Sequence, residues 1–69
     1  MIEVFKTDIQ DMAQANSIIV LLLQHFPGSR VNIDLHDCDK VLRIEGSDFS
    51  PAAVMMLVNE NGFSCRPLD

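Results

Sequence analysis

Apolar residues recur along the chain with two different periods, and the switches between them mark the elements. Ile2-Glu3-Val4-Phe5-Lys6 alternates and is rich in β-branched residues, which predicts a half-buried strand with Ile2 and Val4 on one face and Phe5 on the other. From Gln10 to Phe26 the period lengthens to about 3.6. Around Ile19, the residues Met12, Ala15, Leu22, Leu23 and Phe26 gather on one side, and Gln10, Gln14, Ser17 and Gln24 on the other, which predicts an amphipathic helix. Asp8 or Asp11 supplies the negative charge favoured at its start. Pro27-Gly28 ends it, because proline lacks the amide and glycine tolerates a left-handed exit.

Alternation then returns. Arg30 to His36 predicts a one-sided strand with Val31, Ile33 and Leu35 inward and Asn32, Asp34 and His36 outward. The polar turn Asp37-Cys38-Asp39-Lys40 leads into Val41 to Glu45, with Leu42 and Ile44 inward, so the pair reads as a β-hairpin. Gly46-Ser47-Asp48 closes that strand, and Ser50-Pro51 opens a second helix: serine accepts from a free first-turn amide, and proline has no amide to leave unpaired. Val54, Leu57 and Val58 form its apolar side, with Met55 and Met56 at or beyond the edge. Asn61-Gly62 terminates it, and Phe63 to Leu68 is a last short strand whose Pro67 suits a sheet edge. Strand, helix, strand, strand, helix, strand predicts an α+β fold: a ferredoxin-like βαββαβ sandwich, with a four-stranded antiparallel sheet covered by two helices on one face. Right-handed crossovers place the first and third strands in the centre.

Composition narrows the class. The chain has 69 residues, 48% of them hydrophobic and 22% charged, which is globular rather than disordered. It is read as one domain over residues 1–69, burying about 60% of the surface its unfolded form exposes. Ten acidic residues against five basic give a net charge of −5, which disfavours nucleic acid and anionic membranes as partners. The longest apolar run, Ile18 to Leu23, is far short of the ~20 residues of a bilayer span, and no basic-then-apolar leader begins the sequence. Two cysteines, Cys38 and Cys65, are too few for a disulfide framework and are not spaced as CxxC. A cytoplasmic protein with free thiols is expected.

Several landmarks together resemble the heavy-metal-associated domains of copper chaperones and metal-pumping ATPases. They are Phe26-Pro27-Gly28, the Val31-x-Ile33-x-Leu35 strand, Ser50-Pro51 and Asn61-Gly62-Phe63. The chain is also similar in general pattern to a group of small uncharacterised bacterial proteins. The resemblance implies the same fold and a metal loop at Gln10 to Ala15. There the family carries Met-x-Cys-x-x-Cys, whereas this chain has Met12 and Ala15 where the two thiolates belong. A methyl group ligates nothing and Met12 is read as core, so the chaperone chemistry is not carried over.

Other chemistry is sparse. His36, Asp37, Cys38 and Asp39 offer metal-ligand types in a row, and His36, Cys38 and Cys65 form the alternative metal set. Four consecutive residues rarely close a tetrahedron, however, and Cys65 belongs to the opposite sheet edge, ~14 Å from the hairpin strand. Cys38 has no evident oriented base for nucleophilic work, so no catalytic residue, enzyme activity or cofactor is expected. His25 is a favourable charge at the helix C-terminus when protonated. Phe5, Ile18, Val20, Leu21 and Met56 fall outside the predicted core arcs and constitute the expected interaction surface, for a homodimer or another protein. The function expected is a non-enzymatic interaction module, with metal binding or trafficking as the alternative.

Overall fold

The structure, a computed structural model, describes residues 1–68. Its elements are β1 (Ile2–Thr7), α1 (Met12–His25), β2 (Arg30–Asp34), β3 (Val41–Glu45), α2 (Pro51–Glu60) and β4 (Cys65–Pro67). The four strands form one antiparallel sheet in the order β2-β3-β1-β4, so β1 and β3 are central and the chain has the ferredoxin-like α+β architecture. No helix among the described residues is long and apolar enough to cross a membrane.

Cross-strand register decides which side of the sheet becomes core. Phe5 stands opposite Leu42, and Leu42 opposite Ile33; Ile44 stands opposite Val31. Directly opposed residues share a face, and Phe5, Leu42 and Ile44 are fully buried there. The helices lie over that face, with Ala15, Ile18 and Leu22 from α1 and Val54 and Val58 from α2 completing the core. Two loop residues join them: Ile9, before α1, is fully buried, and Phe49, before α2, packs edge-on against Phe26 at 6.4 Å between ring centroids.

Three expectations are corrected by this packing. Phe5 does point away from Ile2 and Val4, but it is Phe5 that faces the helices, because the β1–β3 register aligns it with Leu42. Ile18 is core, and Met12 is 62% exposed. The buried stripe of α1 runs Ala15-Ile18-Leu22 rather than around Ile19, which is half-buried. Six consecutive apolar residues from Ile18 to Leu23 blunt the helical moment, so the sheet beneath sets the rotation.

Local chemistry closes the helices. Asp11 caps α1, accepting from the Gln14 amide at 2.8 Å, and the Gln14 side chain accepts in turn from the Gln10 amide at 2.9 Å. Ser50 caps α2, with Pro51 in the first turn. The C-terminus of α2 forms a Schellman motif: the Phe63 amide donates to Val58 O and the Gly62 amide to Asn59 O, with Gly62 at φ 93°. Gly28 keeps a negative φ, and the exit from α1 is held instead by Ser29, whose hydroxyl and amide both donate to Phe26 O.

Two contrasts follow for urea denaturation. Ile18→Ala should cost ~2–5 kcal/mol as a core truncation, while Val20→Ser stays within ~0.5 kcal/mol. Gly62→Ala should cost ~1 kcal/mol through backbone strain alone, since its added methyl meets nothing within 4 Å, whereas Gly28→Ala is neutral or stabilising by up to ~1 kcal/mol.

Candidate functional site

Three connections meet at one end of the sheet. The Thr7 amide donates to Asp39 O at 2.9 Å, the Thr7 hydroxyl to Lys40 O at 2.6 Å, and the Ser64 amide to an Asp8 carboxylate oxygen at 2.8 Å. The β1–α1 turn, the β2–β3 hairpin and the α2–β4 turn are thereby tied together. In the hairpin, Asp37, Cys38 and Asp39 bring one donor atom each within 4.8 Å of one another, and all three are exposed. Their arrangement is also that of a turn: Asp37 Oδ1 accepts from the Asp39 amide at 2.8 Å, and Asp37 O accepts from the Lys40 amide at 3.0 Å. Lys40 adopts φ 47°, and its ammonium donates to Leu35 O at 2.9 Å.

The alternative metal set is not assembled. His36 is exposed and lies outside the donor group, its amide donating to Asp34 Oδ1 at 3.0 Å. Cys65 faces the core opposite Thr7, and burial pushes its thiol from the ordinary 9.0 up to about 11, so at neutral pH it is a protonated thiol rather than a thiolate ligand. Cys38 and Cys65 are both free. At the opposite end, a shallow cavity of about 130 Å3 lies among His25, the Phe26–Ser29 turn and Asp48. Neither the His25 nor the Asp48 side chain forms a hydrogen bond among the described residues.

The expected interaction residues separate into two groups. Val20 and Met56 are exposed, at 53% and 60%, on the outer sides of different helices. Leu21 is half-buried against the core, and Phe5 and Ile18 are buried, so no contiguous apolar patch is formed from this set. Their expected exposure rested on helix arcs and a strand face that the packing reassigns.

A different surface is better built. Register and alternation place Ile2, Val4 and Lys6, Arg30, Asn32 and Asp34, Val41, Arg43 and Glu45, and Arg66 on the sheet face opposite the helices. Across it run the rows Arg30–Glu45–Ile2, then Asn32–Arg43–Val4, with Asp34 opposite Val41 and Lys6 opposite Arg66 at the far end. Four of the chain's five basic residues are here, all exposed, with only two of its ten acidic residues. The local charge is positive on a chain of net charge −5. Arg43 reaches Glu45 at 3.6 Å, the one ion pair among the described residues, and both ends are solvated, so the pair contributes no more than ~1 kcal/mol. Lys6 and Arg66 oppose each other directly, a like-charge pair that costs a few tenths to ~1 kcal/mol.

The two thiols should behave oppositely. A disulfide reagent at neutral pH is expected to modify Cys38 at once and Cys65 only on unfolding. Because the folded state holds Cys65 protonated, stability is full below pH 9 and falls between 9.0 and about 11, where the unfolded thiol ionises first. The loss should reach ~2–3 kcal/mol, and Cys65→Ala should flatten this part of the pH profile in thermal or urea unfolding.

No family model, no curated protein and no solved structure matches the chain.

Proposed function

We propose that this chain is a small non-enzymatic interaction module, of heavy-metal-associated type but without the metal loop, and that it docks protein through the open face of its sheet. The observation that carries the reading is the uncovered face itself. A four-stranded sheet has two faces, and both helices cover only one. On the other, half-buried Val4 and Val41 and exposed Ile2 sit among exposed Arg30, Arg43, Lys6 and Arg66. Arginine beside modest apolar area is a composition enriched at protein interfaces. Where the family has its two thiolates, this chain has an exposed thioether at Met12 and a buried methyl group at Ala15, which do not supply the family's metal chemistry.

One observation favours a second reading, metal binding at the hairpin: the convergence of Asp37, Cys38 and Asp39 within 4.8 Å. It is the weaker reading because the Asp37 carboxylate is engaged by the Asp39 amide, and because a thiolate with two solvated carboxylates is an incomplete set for a structural zinc.

Site-specific photo-cross-linking separates these readings. A photo-reactive residue placed at exposed Asn32, on the open face, should form adducts with another polypeptide, a second copy or a different chain, in the cells that express the protein. The same group at exposed Asn59, on α2, should not. Adducts from position 59 alone, or from neither position, would overturn the docking face. Stoichiometric Zn(II) in native mass spectrometry, lost in Cys38→Ser, would promote the hairpin instead.

A further inference from the structure

The four cations of the open face are not scattered over it. Arg30 lies on β2 in the first row, Arg43 on β3 in the second, and Lys6 and Arg66 on β1 and β4 in the third. Arg30 to Arg43 and Arg43 to Lys6 are each one strand over and two residues along, and Arg66 lies one strand beyond Lys6 in the same row, so the charges follow a diagonal that ends in a pair. With strands ~4.8 Å apart and a rise of ~3.4 Å per residue, the first two steps are ~8 Å, the last is ~5 Å, and the stripe is ~20 Å from end to end. Val4 and Val41 flank it, half-buried. The two carboxylates of the face, Asp34 and Glu45, stand off the diagonal, and only Glu45 is paired to it, through Arg43.

We infer that the partner docked on this face is a protein bearing an extended acidic segment, laid along the diagonal from Arg30 to Arg66. This rests on the docking reading above and names its occupant by charge complementarity. An extended segment of about six residues spans ~20 Å, and carboxylates at every second or third residue meet the two ~8 Å steps, the last of them facing the Lys6–Arg66 pair. The like-charge opposition of Lys6 and Arg66, a local cost in the free protein, becomes a paired clamp for a carboxylate.

Three other occupants fit less well. A second copy presenting its own open face would set the same positive excess against itself. A second copy presenting its acidic hairpin offers Asp37 and Asp39 within 4.8 Å, too compact a group for a ~20 Å stripe. A single-stranded nucleic acid is held by stacking as well as charge, and all four phenylalanines lie off this face: Phe5 and Phe49 are buried, and Phe26 and Phe63 pack against the core. The net charge of −5 also opposes a phosphate backbone at long range.

The test is a nitrogen-15 amide titration of the whole chain with an oligoglutamate peptide of about seven residues, with oligolysine and oligothymidylate of equal length alongside. Shifts are expected at Val4, Lys6, Arg43 and Arg66 and not along α1 or α2. Binding should weaken several-fold as ionic strength rises from ~0.01 to ~0.15 M, because the screening length shrinks from ~30 to ~8 Å. The double variant Lys6→Glu, Arg43→Glu should abolish it while keeping the native spectrum elsewhere, since both side chains are exposed. No shifts on the sheet, shifts confined to the helices, or equal binding of oligothymidylate would overturn the acidic-protein assignment. So would a neutral or basic segment cross-linked from position 32, which would leave the docking face standing; failure of cross-linking at position 32 strikes the face itself.

Discussion

The pairing of β1 with β3 is the constraint on which the rest depends. With Phe5 opposite Leu42 and Glu3 opposite Ile44, the central strands turn one set of alternate residues toward the helices and the other set away. A slip of one residue in β1 would turn Ile2, Val4 and Lys6 inward and expose Phe5, forfeiting a fully buried aromatic and burying an ammonium without a partner. That penalty is large against the few kcal/mol by which a domain of this size is stable. The same register that selects the core therefore selects the composition of the open face.

Charge is segregated as a consequence. The helical side and the turns hold most of the carboxylates, with Asp8, Asp11 and Asp37, like the Ser50 hydroxyl, committed to backbone amides that the turns and helix starts would otherwise leave unpaired. The open face holds four cations and no comparable local duty for three of them: the side chains of Lys6, Arg30 and Arg66 form neither hydrogen bonds nor ion pairs among the described residues. Side chains that serve the fold are thus distinguishable from side chains that do not, and the second class gathers on the one face that lacks a second layer.

The hairpin illustrates the opposite case. Asp37, Cys38 and Asp39 look like a ligand set by residue type, yet Asp37 is accounted for by turn formation, and Cys65, the only other thiol, is sequestered in the core where its ionisation is suppressed. Chemistry-bearing residues in a tight turn are first of all turn residues.

Element order, strand order and the second helix's boundaries were legible in the sequence because they follow from local rules: alternation for strands, Ser50-Pro51 and Asn61-Gly62 for helix ends, and crossover handedness for topology. The inward residues of β2 and β3 were legible for the same reason, since their apolar and polar positions alternate cleanly. Only the tertiary structure decided the buried side of β1, where Ile2, Val4 and Phe5 offer apolar residues in both directions, and the rotation of α1, where Ile18 to Leu23 are apolar all round. It also decided the burial of Ile9 and Phe49, which sit in connections and belong to no period. Lys6, Arg30, Arg43 and Arg66 are far apart along the chain, and no local pattern relates them; their diagonal exists because hydrogen-bonded register between four strands sets which residues become neighbours.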